Sequence, residues 1–365
     1  MNSDRRAFFK TLGTAAAAAA VTVPGINHEA AAAVLPTDGR AFTVKRSLLE
    51  IEGQPTGDLN AVNGGYPIGI VVEEGVDEGG VMRKRIAGSN VKDLVLSGGG
   101  NMGPKFFELI TKFLALESQT FSGNISYSDA KFREGGRLEF QDALVKSVRF
   151  PTLDASAKTA GAFDITCKVG SSQRTKGDLS KGDIGTKSKA FLVSNFRVSI
   201  DGLESTMALT SRVEGFTVQQ EILPPTAVPP VLEIPSEGQG VSFPVVLPPQ
   251  WVEGEWTTFQ ETPTPSRAGA FVDVGPLQIP DLVMTVSETR SEALYDWFEK
   301  SVVQGVPDER NGKIELLSAD FKTVLFTIEL FNLGLWWLAT EDGDESVLRR
   351  VTAKMFCERM SFKQG

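Results

Sequence analysis

Asp281-Leu282-Val283-Met284 begins the stretch of sequence that decides the fold, because Asp93-Leu94-Val95-Leu96 begins an earlier stretch whose features follow in the same order. Each stretch has a short apolar strand, an aromatic-rich helix and then several extended segments. The two helices contain Phe106-Phe107-Glu108-Leu109-Ile110 and Tyr295-Asp296-Trp297-Phe298-Glu299. The copies lie about 190 residues apart, much further than the repeats of a solenoid, so the pattern predicts two similar domains in tandem.

Each copy ends on an extended segment that contains one of the two cysteines of the chain. The segments are Phe163-Asp164-Ile165-Thr166-Cys167 and Ala353-Lys354-Met355-Phe356-Cys357. Alternating apolar and polar side chains in the first segment indicate a strand with one buried face. We expect the cysteines to lie at matching places in the two copies and to be reduced and buried, since equivalent positions in tandem domains are too far apart for a disulfide.

The chain of 365 residues is long enough for two ordinary domains. We place them at residues 34–169 and 191–365, joined by a flexible basic linker at 170–190 whose Gly, Lys and Arg content is typical of a solvated tether. The second domain carries an insertion, 224–249, with eight prolines, which is an extended inter-subunit arm or a disordered surface loop. In the first domain, the Gly-rich and acidic segment 63–80 predicts a long irregular excursion, which is a binding or assembly loop or is disordered.

The N-terminus resembles a twin-arginine export signal. Asp4-Arg5-Arg6-Ala7-Phe8-Phe9-Lys10 precedes a mildly apolar stretch, the helix breaker Pro24-Gly25 and small residues at 30–33 that suit cleavage. We therefore expect residues 1–33 to be a signal peptide, and the twin-arginine translocase to export the folded chain to the periplasm or the outside of the cell. The alternative is a frayed alanine-rich helix on a cytoplasmic protein.

Composition excludes several kinds of chemistry. His28 is the only histidine and lies within the predicted signal peptide, so the mature chain has no imidazole for Ser-His-Asp or Cys-His catalysis or for a His-ligated metal site. The net charge of −9 argues against a surface built for nucleic acid. We expect no catalytic, cofactor-binding or metal-binding residues, and a protein that is not an enzyme.

One motif suggests a cofactor site. Gly98, Gly100 and Gly103 satisfy G-x-G-x-x-G between a predicted strand and a helix that begins at Pro104, where a dinucleotide phosphate could bind. The second copy has Ser287-Glu288-Thr289-Arg290 at this place, and strands follow the helix instead of a second βα unit. The motif therefore favours a flexible strand-to-helix loop, with an exported cofactor-binding enzyme as the alternative.

The second half of the chain resembles the tail tube protein family of contractile phages, whose relatives build the tubes of contractile injection systems. The residues that carry the resemblance are 195–203, Leu294-Tyr295-Asp296-Trp297-Phe298, Asn311-Gly312-Lys313-Ile314 and Phe326-Thr327-Ile328-Glu329-Leu330-Phe331-Asn332. Their order matches over 191–362, and a weaker version covers 42–169.

This resemblance implies a mainly β fold of two tandem antiparallel β-barrel or sandwich domains, each with one packed helix. In the family, six barrels close into a ring and rings stack into a hollow tube, so three chains with two barrels each would form a pseudo-hexamer. The implied partners are further copies of the chain and other tail or injection-system components. The export motif favours a secreted tube or periplasmic ring, with a virion or cytoplasmic particle as the alternative.

A structural, self-assembling protein is thus the leading interpretation. A further alternative is a secreted β-module that binds carbohydrate or protein, for which Trp336-Trp337 could provide a stacking platform, although burial in a core or interface explains this pair as well. The sequence leaves open whether rings stack, what passes through them, whether the signal is cleaved, and whether the acidic segment 73–80 or the Pro-rich arm drives stacking.

Overall fold

Antiparallel β-strands make up most of the chain that the computed structural model describes, and the mainly β fold class is confirmed. The described residues are 46–76, 79–129, 131, 133–177, 191–222, 274–341 and 349–365, and they belong to one compact unit that runs from Phe42 to Gly365. The predicted signal peptide 1–33, the insertion 224–249 and residues 178–190 of the predicted linker lie outside these ranges.

The described residues of the first half form eleven strands and one helix of three turns. Its elements are β1 Arg46–Ile51, β2 Gln54–Leu59, β3 Ala61–Asn63, β4 Pro67–Val76, β5 Met82–Val91, β6 Leu94–Gly98, α1 Pro104–Leu114, β7 Phe121–Ser128, β8 Glu134–Phe150, β9 Leu153–Asp154, β10 Phe163–Lys168 and β11 Ser171–Lys176. Helix α1 buries Phe106, Phe107, Ile110 and Phe113, which recur at the spacing of one helix face.

The elements of the second half follow a similar order, with a short helix, Glu204–Met207, in place of β2. They are β12 Phe196–Ile200, α2 Glu204–Met207, β13 Thr210–Val213, β14 Phe216–Ile222, β15 Val274–Gln278, β16 Leu282–Ser287, α3 Glu292–Phe298, β17 Arg310–Leu317, β18 Val324–Glu341 and β19 Arg350–Gln364. A short 3₁₀ turn, Glu288–Arg290, precedes α3, and a π-helical turn, Glu299–Val303, continues it.

The two halves pair their strands in the same order. The first sheet runs β2-β1-β7-β8-β10-β6-β3, and the second runs β12-β17-β18-β19-β16-β13-β9. Strand β3 pairs with β6 in the first half, and β13 pairs with β16 in the second. Each is followed along the chain by a pair of antiparallel strands, β4–β5 after β3 and β14–β15 after β13. The succession β1-β7-β8-β10-β6-β3 therefore has a counterpart in β12-β17-β18-β19-β16-β13 at every position.

The strand register corrects the predicted equivalence of the two cysteines. Cys167 lies opposite Leu94, whereas Met355 lies opposite Leu282, so the counterpart of Cys167 is Met355. Cys357 lies two residues further along β19, opposite Leu333. A shift of two residues leaves a strand side chain on the same face. Both cysteines are buried and free, as predicted.

The halves exchange strands across their junction. Strand β14 of the second half pairs antiparallel with the end of β8, and β9 of the first half pairs antiparallel with β13. The ring centroid of Phe107 on α1 lies 4.6 Å from that of Phe326 on β18 and 6.2 Å from that of Phe362 on β19. Thr111 Oγ1 also donates a hydrogen bond to the carbonyl of Phe362 (3.1 Å). Buried side chains of both halves consequently form one continuous core.

The predicted linker begins with a strand, which corrects the expectation of a solvated tether from residue 170. Strand β10 pairs with Leu144 to Arg149 of β8. The next strand of the chain, β11, pairs with Gly136 to Gln141 of the same strand. Its side chains are largely exposed and polar, so its composition is that of a tether. The free backbone edge of β8 nevertheless provides a hydrogen-bond ladder that composition does not reveal.

Candidate assembly interface

Strands β4 and β5, of ten residues each, form a hairpin that pairs with no other strand of the described ranges. Side chains on both strands are exposed although many are apolar: Ile68 is 51% exposed, Val71 60% and Ile86 72%. This hairpin replaces the irregular excursion predicted for 63–80. The run Ile68-Gly69-Ile70-Val71-Val72 was the β signal in the sequence, and the glycines and charges around it hid that signal.

Two glycines set the direction in which the hairpin leaves the sheet. Gly64 and Gly65 have φ values of +78° and +73°, which favour glycine, and a Cβ on Gly64 would lie 1.8 Å from the carbonyl oxygen of Asp93. The N–H of Gly65 donates to the carbonyl of Lys92 (2.9 Å), and the N–H of Lys92 donates to the carbonyl of Tyr66 (3.0 Å). The base of the hairpin is thus fixed against the start of β6.

Two residues of the acidic segment 73–80, Glu73 and Glu74, are paired across the hairpin. Lys84 Nζ lies 3.1 Å from Glu73 Oε1, and Arg85 forms an ion pair with Glu74. Ion pairs at such exposed positions contribute little to stability, and an isolated two-stranded hairpin is marginal in water. The ion pairs therefore add little to the stability of the hairpin in an isolated chain.

A free sheet edge lies in the other half, at the end of β18. Strand β17 pairs with the part of β18 from Val324 to Leu333, and β19 pairs along nearly all of β18. Beyond Leu333, the edge that β17 leaves uncovered has no strand partner among the described residues. Trp336, at a bulge in this part, is 44% exposed.

The corresponding edge in the first half is occupied. Ser147 to Arg149 of β8 pair with β10 on one side, and Ser147 to Phe150 pair with Gln219 to Phe216 of β14 on the other. Phe150 and Phe216 stack there at 4.7 Å between ring centroids. The end of β8 thus holds a hairpin of the other half where the end of β18 holds none.

The register makes these two edges equivalent. The pairing of β8 with β10 shifts between Val145 and Ser147, and that of β18 with β19 shifts between Leu335 and Trp337. Counting from these bulges, the segment 147–150 of β8 corresponds to 337–340 of β18.

Helix α3 lies beside the free edge. Tyr295 Oη and Thr340 Oγ1 form a hydrogen bond of 2.9 Å, and Trp297 Nε1 donates to the carbonyl of Asp308 (2.7 Å). Val302, Val303 and other apolar side chains of α3 and the turn after it are exposed. The counterpart helix α1 is covered by β19 through Phe107 and Thr111. We call the 335–341 edge of β18 with α3 and its π-helical turn the edge surface, and β4, β5 and β11 the hairpin surface.

The G-x-G-x-x-G loop is packed onto β2. A Cβ on Gly98 would lie 2.6 Å from Phe106 Cζ and 2.7 Å from Met102 Cγ. The N–H of Gly103 donates to the carbonyl of Thr56 (2.5 Å), and Asn101 Nδ2 donates to the carbonyl of Asp58 (3.0 Å). These contacts give Gly98 and Gly103 a packing role, and they occupy one N–H group at the helix start, that of Gly103.

The remaining chemical groups are held in structural contacts. Lys354 Nζ lies 4.6 Å from the ring centroid of Trp337 and 5.9 Å from that of Trp336. Burial raises the pKa of the Cys167 thiol, and burial also raises the pKa of Cys357, so neither is a reactive thiolate at neutral pH. The described ranges hold no cluster of His, Cys, Asp and Glu that could bind a metal ion. Within the same ranges, each helix is too short or too polar to span a bilayer.

Comparison with known proteins gives structural similarities only. No protein-family model matches the chain, and no curated protein matches it. A chain of the PVC sheath-tube complex of an extracellular contractile injection system is 17% identical, with a TM-score of 0.33, over 38% of this chain and 94% of that one. The cap that terminates the anti-feeding prophage tube is 13% identical, with a TM-score of 0.33, over 52% and 99%. Hcp1 from Flavobacterium johnsoniae is 10% identical, with a TM-score of 0.27, over 47% and 95%. TM-scores this low carry no argument about function.

Proposed function

We propose that the chain is a structural protein that assembles with copies of itself into tail-tube-like rings. The observation that carries the proposal is the β4–β5 hairpin, whose apolar side chains are exposed on both strands and which pairs with no other strand of the described ranges. Large exposed apolar patches on soluble proteins mark interaction sites, and free strands are templates for pairing with another chain.

The matched strand order of the two halves supports a tandem duplication, with domains at 34–169 and 191–365. A ring of six similar halves then needs three chains. The interface inside the chain already joins two halves by strand pairing and a shared aromatic cluster. Repetition of this interface between chains is the simplest way to build such a ring. Within each chain β14 is already paired with the end of β8, whereas β4–β5 and the corresponding edge of β18 have no such partner among the described residues.

The same proposal includes the segments outside the described residues. Residues 1–33 serve as a twin-arginine signal, and the ring forms in the periplasm or outside the cell. The insertion 224–249 extends as an arm between subunits. Other tail or injection-system components bind the faces of the ring.

Negative-stain electron microscopy of residues 34–365, combined with sedimentation velocity over a concentration series, tests the proposal. We expect six-lobed rings, alone or stacked, in equilibrium with single chains. A protein that sediments as a monomer at every concentration and shows no rings would contradict it.

A further inference from the structure

We infer that the edge surface of one chain accepts the hairpin surface of a second copy, with β4 added antiparallel to the 335–341 edge of β18. This inference rests on the proposed function and specifies the contact that builds the ring. Its template is the junction inside the chain, where β14 adds to Ser147–Phe150 of β8 and its partner strand β15 lies on the outside.

Each component of the internal junction has a free counterpart. Hairpin β14–β15 corresponds to β4–β5 in the strand order, and the end of β8 corresponds to the end of β18 in both pairing and bulge. The first of each pair is engaged inside the chain. The second of each pair lacks a further partner in the parts of the chain that the structure describes: β4–β5 pairs with no third strand, and the end of β18 pairs with β19 on one side only. The free hairpin belongs to the first half, and the free edge belongs to the second half. If the internal junction is repeated, the two therefore pair between two copies of the chain.

The backbone of β4 allows this addition. The carbonyl of Tyr66 accepts from the N–H of Lys92, directly after β5, so the backbone groups of the next residue, Pro67, are directed to the opposite, free side. Proline has no N–H to donate, so we expect the inter-chain ladder to begin after Pro67 and to run over residues 68–72. Such pairing would also cover Ile68, Ile70 and Val71, which are about half exposed or more in the isolated chain.

The helices indicate the same arrangement. Helix α1 is covered by β19 of the other half, and the counterpart of β19 is the pair β10–β11 of the first half. Strand β11 lies next to β4, so it would arrive on α3 together with the hairpin. Arg174 and Lys176 of β11 are exposed, and Glu292, Asp296 and Glu299 of α3 and its π-helical turn are also exposed. Basic β11 and acidic α3 are thus complementary in charge, which favours their encounter.

Two different surfaces meet in this contact, so every copy offers one of each. Such a head-to-tail contact closes into a ring or continues as a filament, depending on the rotation that relates neighbours. The internal junction supplies that rotation between the halves. Three chains with three internal and three inter-chain junctions give the ring of six halves.

Cysteine cross-linking tests the contact. We would mix a chain carrying Gly69→Cys with a chain carrying Cys at Leu338, Ala339 or Thr340, so that one of the three positions matches the register, and oxidise the mixture. Gly88→Cys on β5 is the matched control, because it lies on the same hairpin in the strand that faces away. We expect linked dimers for Gly69→Cys with at least one edge position and none for Gly88→Cys. The native cysteines do not interfere, because both are buried.

A second variant pair removes the contact without changing the core. Ile68→Asp combined with Ile70→Asp places two carboxylates in the proposed inter-chain sheet, and should raise the dissociation constant by about a hundredfold or more. Ile86→Asp on β5 should change it little, and all these positions are exposed in the single chain, so thermal unfolding of the monomer should be unaffected.

The results separate this inference from the proposed function. If the native chain forms rings but no edge position cross-links to Gly69→Cys, and the Ile68 and Ile70 variant still assembles, the hairpin contact is wrong and the structural role stands. If the native chain never assembles, both are wrong.

Discussion

Phe326→Ala tests whether the two halves share one core. Phe326 on β18 is 3% exposed, and its ring centroid lies 4.6 Å from Phe107 and 5.5 Å from Phe163, both in the first half. It also lies 5.8 Å from Phe191 and 5.7 Å from Phe362. Removing this ring deletes the centre of an aromatic cluster that joins the halves.

The expected loss follows from the burial of the ring. Truncating a buried phenylalanine to alanine costs about 3–5 kcal/mol, because both the transfer of the ring and the cavity left behind contribute. For a cooperative unit that runs from Phe42 to Gly365, an entropy of unfolding of about 2 cal/mol/K per residue converts 4 kcal/mol into a drop of about 6 °C in Tm. Phe321→Ala is the control, since Phe321 is 58% exposed, and it should cost less than about 0.5 kcal/mol.

Hydrogen exchange followed by mass spectrometry locates the loss. We expect Phe326→Ala to lower the protection of β8 and β10 in the first half as much as that of β17 and β19 in the second. A single calorimetric transition should move to lower temperature. Loss of protection confined to β17–β19, with β8 and β10 unchanged, would refute the shared core.

Three further predictions concern single groups. Gly98→Ala should destabilise the chain by about 1–3 kcal/mol in urea unfolding, because its Cβ would overlap Phe106 and Met102. Gly88→Ala is the control, since no atom lies within 4 Å of the added Cβ. Equal stability of the two variants would contradict the packing role of Gly98. Burial raises the pKa of Glu315, but bonds from Lys313 (2.7 Å) and Arg197 (2.6 Å) outweigh it and leave the pKa below its ordinary value. The stability that these bonds supply is therefore present above the pKa of an unfolded glutamate, about 4.3, and is lost as the pH falls through the lower pKa of the folded chain. The Tm difference between the native chain and Glu315→Gln should be largest near pH 6 and shrink in acid. A Tm difference that does not depend on pH would be inconsistent with the pairing. Both cysteines are buried, so a thiol reagent should label almost none in the folded chain and two in denaturant, with an unchanged Tm in reductant; rapid labelling of the folded chain would show that they are accessible.

The sequence was sufficient for elements with strong local patterns. The apolar stripe of α1 and the alternation in β10 predicted a helix and a strand where the structure has them. The strand and helix succession of the two copies was also readable, because the same local signals recur in the same order. Burial of the cysteines followed from their apolar neighbours in alternating strands.

Features that depend on strand partners could not be predicted. The alternation of Phe216 and Val218 shows that β14 has a buried face, but it does not show that β14 pairs with β8 of the other half. The two-residue error in matching Cys167 with Cys357 arose because strands have a period of two, so both registers bury the cysteine. Partner choice is decided by tertiary packing, which local composition does not encode.

The candidate interface was only partly visible in the sequence. The Gly-rich segment 63–80 was expected to be a binding or assembly loop or to be disordered, and its strands were missed, because exposed strands lack the alternation that a buried face imposes. The free edge of β18 had no sequence signal, since a sequence does not show which strand edges have partners. It emerged only from comparing the partners of β18 with those of β8.

The proposed assembly is head to tail, through copies of the chain's own internal junction. Native mass spectrometry of residues 34–365 tests it most directly, because it counts the chains in each particle. We predict particles of three chains and multiples of three, which the Ile68→Asp and Ile70→Asp substitutions reduce to single chains. Particles of two chains, or single chains at every concentration, would contradict it.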